Sequence, residues 1–289
     1  MFRKLLRHTF LFLMVLAPLA SHAQFGGGSI GDTAYRRITP EDATKLLQDF
    51  RRYRLPDDFC FEFVITHKPR RGDDETKYNG TLWGTWNEKG PLIRVELKKS
   101  DEPLSSTRRF ILQSGPAPDL WGIGTDGKPT RSADDTLKPL FDGLIFTPFE
   151  LQTPFTYWDK YQYVGTKGFK NRATHIFDMT PPDSFKARHP EFGYVRLSFD
   201  REYNALMQAV IYDSAKKPQR QLEAVSFNKV QGQYIPGEVS LRDETNRDKD
   251  TMSITAAVLK INLPKSVFDP ATLAHPAPKP QAESFTKLD

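Results

Sequence analysis

The residue types that most often carry chemistry are sparse in this chain and poorly spaced for it. The six histidines are His8, His22, His67, His175, His189 and His275. No two of them stand at helical or strand ligand spacing, so the expectation is that no metal is held. There is no Gly-x-Ser-x-Gly elbow, no His-Glu-x-x-His, no phosphate loop and no dinucleotide fingerprint. The single cysteine, Cys60, excludes an internal disulfide. It lies in Phe59-Cys60-Phe61-Glu62-Phe63-Val64-Ile65, a strand pattern with no neighbouring histidine to activate a thiol. That setting favours a small buried hydrophobe over a reactive group. Acidic residues cluster at Asp57-Asp58, Asp73-Asp74-Glu75 and Asp134-Asp135, turn or cap positions where carboxylates are common. Spacing alone leaves a paired-carboxylate hydrolase open. The favoured expectation is a chain that does no chemistry and needs no cofactor.

What the sequence has in quantity is aromatic side chains, 12% of the residues. Those in strand-like runs and in an apolar middle segment could line a trough for an acyl chain or an apolar peptide. The candidate lining residues are Phe61, Phe63, Trp83, Trp121, Phe141, Leu144, Phe146, Phe149 and Trp158. A large ordinary β core would use the same residues, and composition does not separate the two readings.

The elements that must position them are mainly strands. From Gly193 to Pro270, apolar and polar residues alternate: Val195, Leu197 and Phe199 against Arg196, Ser198 and Asp200. A period of two marks half-buried strands, and the short polar breaks between them join antiparallel neighbours. This is a meander of five strands. Five further strand-like runs lie between Phe59 and Gly124, and two more over Phe155–Val164 and Thr174–Met179, separated by a turn at 165–173. One strong amphipathic helix opens at Thr39-Pro40-Glu41-Asp42, with Ala43, Leu46, Leu47 and Phe50 at helical spacing. Between Thr125 and Pro154, Leu137, Leu140, Phe141, Leu144, Ile145 and Phe146 suggest a short helix or two. These would be capped near Ser132–Asp135, interrupted at Pro139 and ended near Gly143, and would form a lid or plug. The segment from Pro181 to His189 reads as a loop. The predicted class is mainly β (α+β), a single curved antiparallel sheet wrapped around helices.

Arg3, Lys4 and Arg7, the apolar run Thr9–Ala20 and the small-x-small Ser21-His22-Ala23 predict a secretory signal peptide cleaved after Ala23. The run is shorter than the roughly 20 apolar residues of a membrane span, which disfavours a retained anchor. The expected organisation is a signal peptide (1–23), a flexible glycine-containing leader (24–37), one domain (38–270) and a disordered proline-rich tail (271–289). The chain carries 41 Lys+Arg and 36 Asp+Glu. Without the three basic residues of the signal peptide the net charge is about +2, and no basic stripe with interleaved aromatics marks a nucleic-acid surface. The expected localisation is the periplasm, with no nucleic-acid partner.

Several stretches in order resemble the outer-membrane lipoprotein-sorting family, the LolA/LolB-like group. They are Tyr78-Asn-Gly80-Thr-Leu-Trp83 followed by Leu92-Ile-Arg94-Val-Glu96; Leu140-Phe-Asp-Gly143, Phe149-Glu-Leu151 and Pro154-Phe-Thr-Tyr-Trp158; then Val195–Asp200, Ala209–Asp213, Gly232–Pro236, Leu263-Pro264 and Val267–Pro270. The resemblance implies an unclosed β-barrel with helices plugging its concave face. It implies a periplasmic carrier that shields the acyl chains of lipids or lipoproteins. Its partners would be an acylated cargo, envelope donor and acceptor proteins, and the membrane surface in passing. Carriers of that family use an Arg-Pro pair after the second strand to latch the lid. Here Trp86-Asn87-Glu88-Lys89-Gly90-Pro91 lacks it, so that latch does not carry over. An envelope sensor or interaction module of the same fold is the competing expectation.

Overall fold

The computed structural model describes residues 37–288 apart from 73, 125 and 133–135. The signal peptide and nearly all of the leader lie outside the described residues, as do Asp73, Asp134 and Asp135. Fourteen strands form one antiparallel sheet. They are β1 (Asp58–Lys68), β2 (Thr76–Asn87), β3 (Gly90–Lys99), β4 (Arg108–Gln113), β5 (Asp119–Ile123), β6 (Pro129–Arg131), β7 (Tyr161–Phe169), β8 (Arg172–Met179), β9 (Phe192–Asp200), β10 (Leu206–Asp213), β11 (Pro218–Val230), β12 (Gln233–Asp243), β13 (Lys249–Ile261) and β14 (Thr286–Lys287). The spatial order runs β6-β5-β4-β3-β2-β1-β13-β12-β11-β10-β9-β8-β7, with β14 beside β13. β6 and β7 are the two edges, so the barrel is not closed. The meander read from alternation is β9 to β13.

Two rows of residues show how the alternation becomes curvature. Phe59 and Phe63 of β1 stand opposite Gly84 and Gly80 of β2. A Cβ on Gly80 would lie 2.1 Å from the Phe63 ring, and one on Gly84 2.0 Å from the Phe59 ring. The rings therefore lie flat over bare backbone and let two large residues share one face at close strand spacing. At the other end of the sheet the β7–β8 hairpin turns through Lys170 (φ 45°) and Asn171 (φ 61°). Both residues are left-handed, as a tight two-residue hairpin requires, so the turn is shorter than the expected 165–173.

The inner face of the sheet is covered by α1 (Pro40–Arg52) and by the segment 137–158. Thr39 caps α1, its hydroxyl accepting from Asp42 N–H at 3.1 Å, and Ala43, Leu47 and Phe50 are buried. Phe50 meets Phe199 edge-on, with ring centroids 4.5 Å apart. The middle segment departs from expectation. Residues 136–147 form no helix; the helical turns are α2 (Pro148–Gln152) and a 3-10 turn at Pro154–Tyr157. Pro139 lacks an N–H and Gly143 is left-handed at φ 88°, which breaks the helical ladder at two points within the apolar run. A short helix α3 (Asp183–Arg188) replaces the loop expected there.

The outer face has a cover as well. Residues 262–288, including most of the segment expected to be disordered, are laid against β13, β1, β2 and β3 through 3-10 turns and end in β14. The segment closes its own 3-10 turns, as with Leu273 N–H to Pro270 O at 3.0 Å, and the sheet adds bonds where its prolines leave carbonyls open, as with Trp83 to Pro278 O at 3.0 Å.

Candidate functional site

The inner face and its plug form the candidate site. Leu140, Phe141, Leu144, Ile145, Phe146, Phe149, Phe155 and Trp158 are all buried in one core with the inner residues of the sheet. Around Phe149 the rings form a nest: Phe155 at 5.5 Å, Phe192 at 5.6 Å and the stacked Phe185 of α3 at 5.7 Å.

Because most of the plug is irregular, its backbone polar groups must be satisfied from outside. The fully buried Asp250, at the start of β13, accepts from Ile145 N–H at 2.7 Å and Phe146 N–H at 2.9 Å. It also pairs with His67 Nδ1 at 2.7 Å. Burial pushes its pKa up, while Phe146 N–H, His67 and Ile145 N–H favour the ionised form. Tyr78 donates its hydroxyl to Asp142 O at 2.9 Å. Gln152 donates to Gln113 O and Asp119 O at 3.0 and 2.7 Å. Arg51 on α1 donates to Thr156 O and Trp158 O, both at 2.7 Å. Glu150 closes a capping box with Thr147 and accepts from Arg220 at 2.8 Å. These groups together tie the plug to the sheet and to α1 at separate points.

The closed arrangement also stores unfavourable terms. Thr153, between α2 and the 3-10 turn, is left-handed at φ 45°, ψ 48°, a conformation costly for a β-branched residue. Its buried hydroxyl and the buried Gln152 Oε1 have no hydrogen-bond partner among the described residues, each a cost of about 1–3 kcal/mol. Two cavities border the plug. One, about 340 Å³, is walled by Leu137, Glu150, Phe192, Ile211, Tyr212 and Arg220 among others. The other, about 350 Å³, touches Arg108, Phe110, Leu120, Lys138, Pro139 and Pro148 among others.

Of the nine predicted trough residues, Phe61, Phe63, Phe141, Leu144, Phe146, Phe149 and Trp158 come together in the inner core. They pack against one another and do not line an open channel. Trp83 and Trp121 fall elsewhere. Register places them in one cross-strand row: Val258, Cys60, Trp83, Arg94, Ile111, Trp121, Arg131. The neighbours Phe61 and Leu82 point inward, so this row lies on the outer face. Trp83 is buried there with Cys60, Val258, Val267 and Ala277, and its indole donates to Pro278 O at 3.0 Å. Arg94, 1% exposed, donates to Val267 O and Thr272 Oγ1 at 3.2 Å and to His275 O, and pairs with Glu96 at 2.7 Å. The arginine of the Trp-to-Arg hairpin motif thus holds the C-terminal strap.

Sequence reasoning missed Asp250, Tyr78, Gln152, Arg51 and Arg220. Thr147-x-x-Glu150 before an apolar pair is a readable capping-box signal. The others act on groups far away in the chain, backbone atoms for Asp250, Tyr78, Gln152 and Arg51 and the Glu150 carboxylate for Arg220, and leave no local pattern.

A family model described as "-like: Uncharacterized protein" matches residues 126–275, just over half of the chain. No curated protein matches the sequence. Among solved structures, a DUF1329 family protein from Desulfovibrio piger superposes with a TM-score of 0.67 at 12% identity, over 81% of this chain and 98% of that one. A putative outer membrane lipoprotein-sorting protein domain from Vibrio parahaemolyticus gives 0.65 at 12% identity, over 76% and 92%. A LolA superfamily protein from Nitrosomonas europaea gives 0.59 at 17% identity, over 78% and 97%. With its unclosed sheet, covered inner face and these likenesses, the chain has the LolA-like fold and belongs to the family whose model spans residues 126–275.

Proposed function

We propose that this chain is a non-enzymatic carrier that takes acyl chains of a lipid or lipoprotein onto the inner face of its sheet as the plug moves aside. The observation that supports it is the construction of the plug: apolar side chains on a mostly irregular backbone, held by separated polar contacts and strained at Thr153. The energies are matched. Fully burying one large apolar side chain is worth about 1.5–3 kcal/mol, so releasing about half of the eight buried plug side chains costs on the order of 6–12 kcal/mol. An acyl chain of about 16 carbons, at about 0.8 kcal/mol per methylene, returns on the order of 10 kcal/mol. Binding then rests on a small difference, which is what a carrier that must also release its cargo needs. The signal-peptide pattern supports a periplasmic location, and in this reading the carrier works there between an envelope donor and acceptor.

Native mass spectrometry with lipid extraction, on full-length protein from an envelope fraction, tests this. Co-purifying acylated species, or saturable uptake of a fluorescent fatty-acyl probe, is the expected result. A protein that is empty and ignores the probe even when the plug contacts are removed overturns it. That outcome favours the second reading, an interaction module for another envelope protein, which draws support from the inner face being filled by the chain's own residues.

A further inference from the structure

The sheet has a seam between β12 and β13. The two strands pair over five residues, Glu238–Arg242 against Lys249–Ser253. Beyond that point β12 stays with β11 alone, from Pro236 to Gln233. The cause is local: the β11–β12 register shifts twice in succession, with Val225 extra on β11 beside Val239 and Glu238, and Gly237 extra on β12 next to Pro236. Proline offers no N–H and a bulge bends its strand, so β12 turns away. At the far end Lys260, left-handed at φ 56°, reaches Gln231 O at 3.3 Å. The seam is a window in the sheet, tied at both ends.

β14 sits in that window. β1 occupies the other edge of β13 along its length, so Thr286 and Lys287, paired with Ala257 and Ala256, take the edge that β12 leaves. Leu288 N–H adds a bond to Thr255 O at 2.9 Å. The flanking apolar residues go to opposite faces, as a spacing of three requires of a strand. Phe285 packs on the outer cluster with Trp83 and Cys60, and Leu288 on the inner core. Glu62 on β1 draws in Lys279 at 3.1 Å and Lys287 at 3.7 Å.

The geometry points to a strand-docking site at this seam, where β14 is a short resident occupant that an extended segment of a partner protein replaces by strand addition. The segment it fits has apolar residues at its first and fourth positions and a lysine or arginine at the third, matching Phe285-Thr286-Lys287-Leu288. Two ladder pairs, of the exposed Thr286 and Lys287 with the buried Ala257 and Ala256, hold the resident strand, while the main-chain edge of β13 supplies the affinity and the apolar pair the specificity. Glu62 selects the basic residue.

The test uses the full chain with Phe285→Asp and Leu288→Asp, which empties the window, and a fluorescein-labelled peptide of residues 282–289. Anisotropy is expected to show saturable binding to the double variant. Binding to wild type is expected to be at least tenfold weaker, because its own strand competes. A peptide carrying Lys287→Glu is expected to bind about fivefold more weakly. A double variant with native circular dichroism that ignores the peptide overturns the proposal, as does equal binding to variant and wild type. If the double variant does not fold, Phe285→Ser alone is read against the same two outcomes.

Discussion

Two stretches without regular structure cover the two faces of one sheet, and they are held in opposite ways. On the inner face, Asp250, Tyr78, Gln152, Arg51 and Arg220 touch the plug at separate points, cavities lie beside it, and Thr153 is strained. On the outer face one buried cation, Arg94, gathers two carbonyls and a hydroxyl of the strap while Glu96 takes Ala277 N–H at 2.8 Å. A segment held at many independent points, with orphaned polar atoms beneath it, can open stepwise. A segment organised mainly by one desolvated ion pair, with single contacts from Trp83 and Glu62 beyond it, loosens as a unit when that pair is broken. The proposed carrier motion therefore falls on the inner cover, while the part of the outer one that Arg94 and Glu96 hold, Val267 to Ala277 ahead of β14, stays.

The largest effect that bears on this contrast is expected at Arg94. Arg94→Ala strands Glu96 and the strap carbonyls and is expected to cost about 3–5 kcal/mol, read as a fall in the denaturation midpoint. Alkylation of Cys60, which lies under the strap, is expected to accelerate at least tenfold, while acyl-probe uptake stays unchanged in the folded fraction. Unaltered Cys60 reactivity would show that the strap does not depend on Arg94. Asp250→Ala comes next. It leaves the Ile145 and Phe146 N–H groups unpaired at a cost of about 2–4 kcal/mol. Hydrogen exchange is expected to speed up at those two amides first, with faster probe uptake. Loss of protection across the whole sheet would instead make the plug part of one cooperative core.

Cys60 supplies a pH test of the outer cover. Burial pushes its thiol up to about 12, against about 8.5 in an unfolded chain. The folded state then holds the proton more tightly, so this contribution is complete below about pH 8.5 and is lost as pH rises toward 12. By pH 10 the loss is about 2 kcal/mol. The difference in unfolding free energy between wild type and Cys60→Ala is expected to shrink by that amount between pH 8 and 10, and a constant difference would refute the buried setting. Arg51→Ala removes two bonds to the plug and is expected to cost about 1–2 kcal/mol and to raise probe uptake severalfold. Thr153→Gly is expected to have the smallest effect. Relieving the left-handed strain stabilises the closed plug by about 1 kcal/mol, which should slow uptake without changing the fold; faster uptake would place the strain elsewhere.

Much of the architecture was legible because half-buried strands write their pattern locally. Val195, Leu197 and Phe199 alternate with polar residues whatever they pack against, and Ala43, Leu47 and Phe50 mark one helix face in the same way. The apolar run from Leu137 to Phe146 misled, because apolar spacing alone does not reveal that Pro139 and Gly143 interrupt the helical ladder and that the Ile145 and Phe146 N–H groups bond to Asp250 instead. Trp83 and Leu82 are adjacent and both apolar, and a strand buried on both faces gives no sign of which side belongs to which core.

The chain's own order of residues determined the strands, the helix cap, the capping box at Thr147 and the alternation that separates the inner face from the outer. Tertiary structure alone decided that Trp83 lies under the C-terminal strap, that the prolines of 276–280 are ordered, and that Asp250 and Arg51 hold the plug. Strand and cap signals come from interactions within a few residues. The others join groups 104 to 195 positions apart, and such contacts exist only once the sheet has brought its distant strands side by side.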